Sequence, residues 1–144
     1  LEKNQVPPDP ISDDENYSKV FEQKAADCAP NYFPGEGCSK DNSYINEFYQ
    51  KFWLDIAVER DEIEFIADED QYYAALDQFY LKYSNRFVTD YAATNPAEDI
   101  AETFTYFVIE EKPTESDDIA EQKILFFYDY PELVSLRNLI RTRL

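Results

Sequence analysis

Two glutamates, Glu98 and Glu102, stand four residues apart in a segment whose apolar residues recur with helical period. On a wheel of about 100° per residue, Ile100, Phe104, Phe107 and Val108 share one face, while Glu98, Glu102 and Thr105 fall on roughly the opposite one. Like charges at i, i+4 are mildly destabilising on a helix, so something other than helix stability favours this pair. Each acid also has a structural use. Glu98 completes a capping box with Asn95, and Asp99 and Glu102 are acids facing the positive end of a helix dipole. Two further clusters carry chemistry by residue type. Cys28 and Cys38 bracket a loop holding Pro30, Pro34, Gly35 and Gly37, a spacing that suits a disulfide in an oxidising compartment and offers too few ligands for zinc. Asp68-Glu69-Asp70 lacks the glycine and alternating oxygens of a calcium loop and reads as a solvated helix start.

The elements that must carry these residues are helical. A short helix over 18–27 puts Val20, Phe21, Lys24 and Ala25 on one face and ends before Pro30. Ile45, Phe48, Tyr49, Phe52, Trp53 and Ile56 follow the i, i+3, i+4, i+7, i+8, i+11 pattern of a helix capped by Ser43 and ending near Arg60. A helix over 70–85 carries Tyr73, Leu76, Tyr80, Tyr83 and Phe87 as a stripe that reads as core. The glutamate-bearing helix starts with Asn95 as cap and Pro96 in its first position, runs through Phe107 or Ile109, and stops before Pro113. Ser116 caps a helix over 117–129. The last helix opens at Pro131 and runs through Leu133, Leu136, Ile140 and Leu144, with Arg137, Arg141 and Arg143 near its C-terminal end to offset its dipole. A short extended pair is expected around 88–91. The expectation is an all-α fold of about five helices in an irregular bundle. A flexible, acidic, proline-rich arm covers 1–15, and a single helical domain covers 16–144.

Composition limits what such a domain can do. The 24 aromatics among 144 residues (12 Tyr, 11 Phe, 1 Trp) and a hydrophobic share of 44% support a folded core. With 13 basic against 31 acidic residues the net charge is −18, which repels nucleic acid and anionic lipid. No apolar run approaches the ~20 residues of a membrane span. There is no histidine, which excludes a self-contained histidine triad and any histidine-ligated metal. There is no methionine either, and the chain starts with Leu1, as expected of a fragment or a processed form.

The run Tyr91-Ala92-Ala93-Thr94-Asn95-Pro96-Ala97-Glu98-Asp99-Ile100-Ala101-Glu102-Thr103-Phe104 resembles the third-ligand segment of gluzincin-type zinc metallopeptidases, especially the anthrax lethal factor-like catalytic domain. The shared pattern is Y-x-x-T-N-x-x-E-x-x-A-E-x-F. The preceding Arg86-Phe87-Val88-Thr89-Asp90 is similar to the lead-in of exported bacterial metallopeptidases. The resemblance covers about 25 residues. It implies that Glu98 is the third zinc ligand, after two histidines. It implies that Glu102 accepts the outer N–H of a ligand histidine, and that Tyr91 donates a hydrogen bond to the tetrahedral oxyanion. The family also needs H-E-x-x-H, which supplies two zinc ligands and the general base and is missing here.

The resulting expectation is the C-terminal portion of an exported zinc metallopeptidase-like protein, with a peptide or protein substrate and a missing N-terminal part as its partners. Zinc belongs to the intact parent, none is expected on this chain alone, and no membrane insertion is expected. The alternatives are a non-catalytic helical module that binds protein or glycan at a cell surface, and a pseudo-peptidase.

Overall fold

A computed structural model describes residues 17–144. The acidic, proline-rich stretch over 1–15 lies outside the described residues. Among the described residues every regular element is helical and no strand forms, so the protein is all-α. Seven α-helices are present: α1 (Tyr17–Cys28), α2 (Tyr44–Phe52), α3 (Ala57–Glu64), α4 (Glu69–Lys82), α5 (Pro96–Ile109), α6 (Ile119–Phe126) and α7 (Pro131–Arg141). Three short 3₁₀ turns, Ser84–Arg86, Tyr91–Thr94 and Phe127–Asp129, join them. The chain divides into two compact units, Leu1–Asp61 and Glu62–Leu144.

In the first unit, Cys28 ends α1 and is bonded to Cys38, with the two Cα atoms 5.3 Å apart. The intervening loop turns on Gly35 and Gly37, whose φ values of +101° and +130° lie where a side chain is strained. The loop is then fastened to the first turn of α2. The buried Asn46 side chain accepts from the Tyr32 amide (2.9 Å) and donates to the Asp41 carbonyl (3.2 Å). Ser43 caps α2 as expected, its hydroxyl accepting from the Asn46 amide. The single helix expected to reach Arg60 is broken. The chain leaves α2 at Trp53, makes a turn with Ile56 donating to the Trp53 carbonyl, and restarts as α3. Trp53 and Ile56 stay buried through the turn, while Leu54 and Asp55 face solvent.

In the second unit, Asp68 caps α4 by accepting from the Gln71 amide at 2.9 Å, so the 68–70 acids begin a helix. The stripe expected to be core needs correction. Of the stripe, Phe87 is buried and Leu76, Tyr80 and Tyr83 are half-buried, but Tyr73 is 60% exposed, and Phe79, outside the stripe, is the buried residue of α4. No extended pair forms at 88–91, and the chain instead tightens into the 3₁₀ turn Tyr91–Thr94. This turn packs against α5, which also contacts α6 and α7. Asp118 rather than Ser116 caps α6, accepting from the amides of Ala120 and Glu121, while the Ser116 hydroxyl accepts from the Asp118 amide. The core around α5 is aromatic. Phe104, Phe107 and Phe127 meet one another with ring centroids 5.3–5.5 Å apart, and Tyr128 stands edge-on to Phe107.

The arginines of α7 serve a different helix from the one expected. Arg137 donates to the carbonyls of Phe107 (2.6 Å) and Glu110 (2.8 Å), and Arg141 to those of Val108 (3.0 Å) and Ile109 (2.9 Å). They satisfy the last carbonyls of α5, which a helix alone leaves without partners. Both ends of α5 are therefore fixed by side chains, one local and one distant in sequence.

Candidate functional site

The first two turns of α5 are set by local chemistry. Asn95 adopts an extended backbone and its side chain accepts from the Glu98 amide at 2.8 Å, while Pro96 occupies the first helical position and is buried. The register this imposes sends Glu98 and Glu102 to one half-buried face. Ile100, Thr103, Phe107 and Val108 are buried on the other side.

The segment before α5 comes back to that acidic face. Asp90 accepts from the Tyr91 amide and opens the 3₁₀ turn, in which Ala92 and Ala93 are fully buried and Tyr91 is 53% exposed. Hydrogen bonding and charge from Glu98, and more weakly the charge of Glu102, hold the Tyr91 phenol above its usual value. Tyr91 is therefore a neutral donor well past neutral pH. Glu102 has its own partner, since Thr89 donates from Oγ1 to Glu102 Oε2 at 3.0 Å. The same Thr89 oxygen accepts from the Ala92 amide at 3.1 Å. Tyr91, Glu98 and Glu102 thus share one surface, on which Thr89 from the segment just ahead of the helix orients Glu102.

Asp99 behaves differently from its neighbours. The wheel treats it as an acid facing the helix dipole, but it is completely buried and paired with Lys123 of α6, Nζ to Oδ2 2.6 Å, both side chains at 0% exposure. Lys123 also donates to the Arg86 carbonyl at 2.6 Å and lies 4.2 Å from the centre of the Phe87 ring. Thr103 donates to the other Asp99 oxygen at 3.2 Å. Thr89, Asp99 and Lys123 escaped the sequence reading. Lys123 had a signal: it is the lone cation against the apolar run Ile124-Leu125-Phe126-Phe127, where a buried ammonium needs a carboxylate.

The donor set decides what this surface can hold. Carboxylate oxygens suit zinc, but a catalytic zinc takes three protein ligands plus a water. Among the described residues no group of three or more His, Cys, Asp or Glu side chains is placed to bind a metal. Glu98 and Glu102 therefore fit a metal in kind and fall short in number. No protein-family model matches the chain, and no curated protein or solved structure is significantly similar to it.

Proposed function

We propose that the Tyr91–Glu98–Glu102 surface is one part of a zinc peptidase site, and that the chain is the C-terminal portion of an exported metallopeptidase-like protein whose two histidine ligands come from outside these 144 residues. One observation carries the reading: Glu98 and, more weakly, Glu102 act on the Tyr91 phenol, and Thr89 from the same segment donates to Glu102. A zinc ligand, the acid that orients a ligand histidine and an oxyanion donor must lie near one another in such a site, and the shared face of Glu98, Glu102 and Tyr91 supports that reading. Glu98 offers carboxylate oxygens as the third ligand. Glu102, steadied by Thr89, accepts the outer N–H of a histidine and fixes its tautomer. Tyr91, kept neutral, donates a hydrogen bond as charge develops on the scissile carbonyl oxygen. Zinc bound there would supply an activated water for peptide hydrolysis. The disulfide supports export, since such bonds persist in oxidising compartments.

A non-catalytic helical binding module is the rival, and a pseudo-peptidase is its variant. The exposed large side chains that would serve a binding module include Leu136 and Leu139, one turn apart on α7, besides Tyr17, Leu54, Val58, Tyr73 and Leu81 on other segments.

The test is the sequence encoded ahead of Leu1 in the parent gene. H-E-x-x-H is expected there, and in the purified parent Glu98→Gln should release zinc as measured by metal analysis. A parent without that motif, or one that keeps its zinc after Glu98→Gln, overturns the reading.

A further inference from the structure

Among the described residues, Lys123 and Asp99 are the charged side chains at 0% exposure, and neither has a part in the chemistry just described. Replacing a buried ion pair by apolar side chains of similar volume often leaves a protein as stable or makes it more stable, so stability alone gives the pair no purpose. Its connections suggest another. Lys123 sits on α6, Asp99 in the first turn of α5, and the Arg86 carbonyl three residues before Thr89. The ammonium therefore ties three pieces of chain together at one point. The Phe87 ring lies over it and excludes water. Asp99 is next to Glu98, and Thr103, which donates to Asp99, is next to Glu102. A rotation of α5 that broke these bonds would swing both glutamates, and release of Arg86 would free the segment that brings Thr89 and Tyr91 to them.

We infer that Lys123 and Asp99 are positioning residues for the Tyr91–Glu98–Glu102 surface, fixing the rotation of α5 and the seat of the 86–91 segment upon it. The inference rests on the functional reading above only for the purpose of the surface; its geometry stands apart from whether a metal binds.

The double variant Asp99→Leu/Lys123→Met tests it in the 144-residue chain by amide hydrogen exchange read by NMR. The reporter is the Ala92 amide, whose partner is Thr89 Oγ1. The control is the far end of α5 at Phe107–Glu110, where the arginines of α7 hold the carbonyls. Local opening shows as faster exchange confined to the affected segment. The expected result is a folded protein whose Ala92 amide exchanges at least about tenfold faster while the Phe107 end is unchanged. A folded double variant with Ala92 exchange unchanged overturns the inference and shows the pair to be a structural element only. If the double variant does not fold, Thr103→Val is read in its place, since it removes only the hydroxyl donating to Asp99. Faster exchange at Ala92 with an unchanged Phe107 end supports positioning, and no change at Ala92 overturns it. Neither measurement involves zinc, so a failure here leaves the peptidase reading standing, and the zinc assay on the parent fails or succeeds independently.

Discussion

Lys123→Met alone is expected to destabilise the second unit severely, and the structure gives the scale. The substitution removes a 2.6 Å bond to Asp99 and a 2.6 Å bond to the Arg86 carbonyl. Bonds that involve a charged group are each worth about 1.5–3 kcal/mol. It also removes a desolvated contact with the Phe87 ring, 4.2 Å away, of a kind worth up to about 2 kcal/mol. Against these stands the burial of an ammonium, which the methionine variant no longer has to desolvate. What remains is a carboxylate at 0% exposure without its cation, and breaking a buried pair from one side costs about 3–5 kcal/mol. Urea denaturation followed by far-UV circular dichroism measures this directly. The midpoint should fall with the slope little changed, since the surface exposed on unfolding is nearly the same. Adding Asp99→Leu should recover most of the loss, because the second change removes the stranded charge. A cost below about 1 kcal/mol for Lys123→Met would refute the reasoning, as it would mean that water reaches Asp99. A double variant no more stable than the single one would refute it too, by showing that packing rather than charge sets the loss.

Three further outcomes are expected. Thiol titration of the unreduced protein should find no free cysteine, and reducing the Cys28–Cys38 bond, which spans 10 positions, should remove about 3 kcal/mol in the chain-entropy account of a loop of this size. Two reactive thiols in the native chain would contradict the first part. Alkali should weaken the first unit: burial raises the Tyr32 phenol far above its usual value, and burial and Asp61 raise that of Tyr49. The neutral phenols are favoured in the fold, so their stabilisation is complete below the ordinary tyrosine value near 10 and is lost as pH rises beyond it. Tyr32→Phe should flatten that loss in thermal melts taken from pH 8 to 11, and an unaltered alkaline profile would exclude Tyr32 as its source. Micromolar zinc should leave the melting temperature of the 144-residue chain unchanged, because stabilisation by mass action needs a complete site; a clear rise would reveal ligands beyond Glu98 and Glu102.

What the sequence made legible was local. Ser43, Asn95 and Pro96 each announce a helix start through a bond or a fixed φ within three residues, and each does so in the structure. The apolar face of α5 was readable for the same reason, since Ile100, Phe107 and Val108 repeat with the helix period. Where two local signals competed, the reading failed. Ser116 and Asp118 both suit a cap, and the carboxylate two residues further on takes the helix amides. Tyr80 and Phe79 are adjacent on α4, and only packing decides which ring is buried. Trp53 lies inside an unbroken periodic run, yet the helix stops there with no Gly or Pro to mark it.

The site divides along the same line, and that division explains why its face was readable while its support was not. Once Asn95 caps the helix, the positions of Glu98 and Glu102 follow from 3.6 residues per turn, and no other part of the chain is consulted. Tyr91 and Thr89 reach the same face through a turn only a few residues long, so their approach is nearly local as well. The groups that hold this arrangement are far away in sequence. Lys123 meets Asp99 across 24 residues and Arg86 across 37. Arg137 meets Phe107 across 30. Hydrophobic periodicity carries no information about such pairs, because a charge that will be buried looks like a charge that will be solvated until its partner is found. A helix wheel therefore gives Asp99 and Glu102 the same standing as two acids in one helix. The fold separates them completely, one sealed against a lysine and the other left on the surface beside Glu98. That separation leaves the outer pair on the surface: Asp99 is paired with Lys123 inside, while Glu102 accepts from the neutral hydroxyl of Thr89. A neutral hydroxyl such as that of Thr89 orients a carboxylate without pairing its charge, whereas a lysine in its place would pair it.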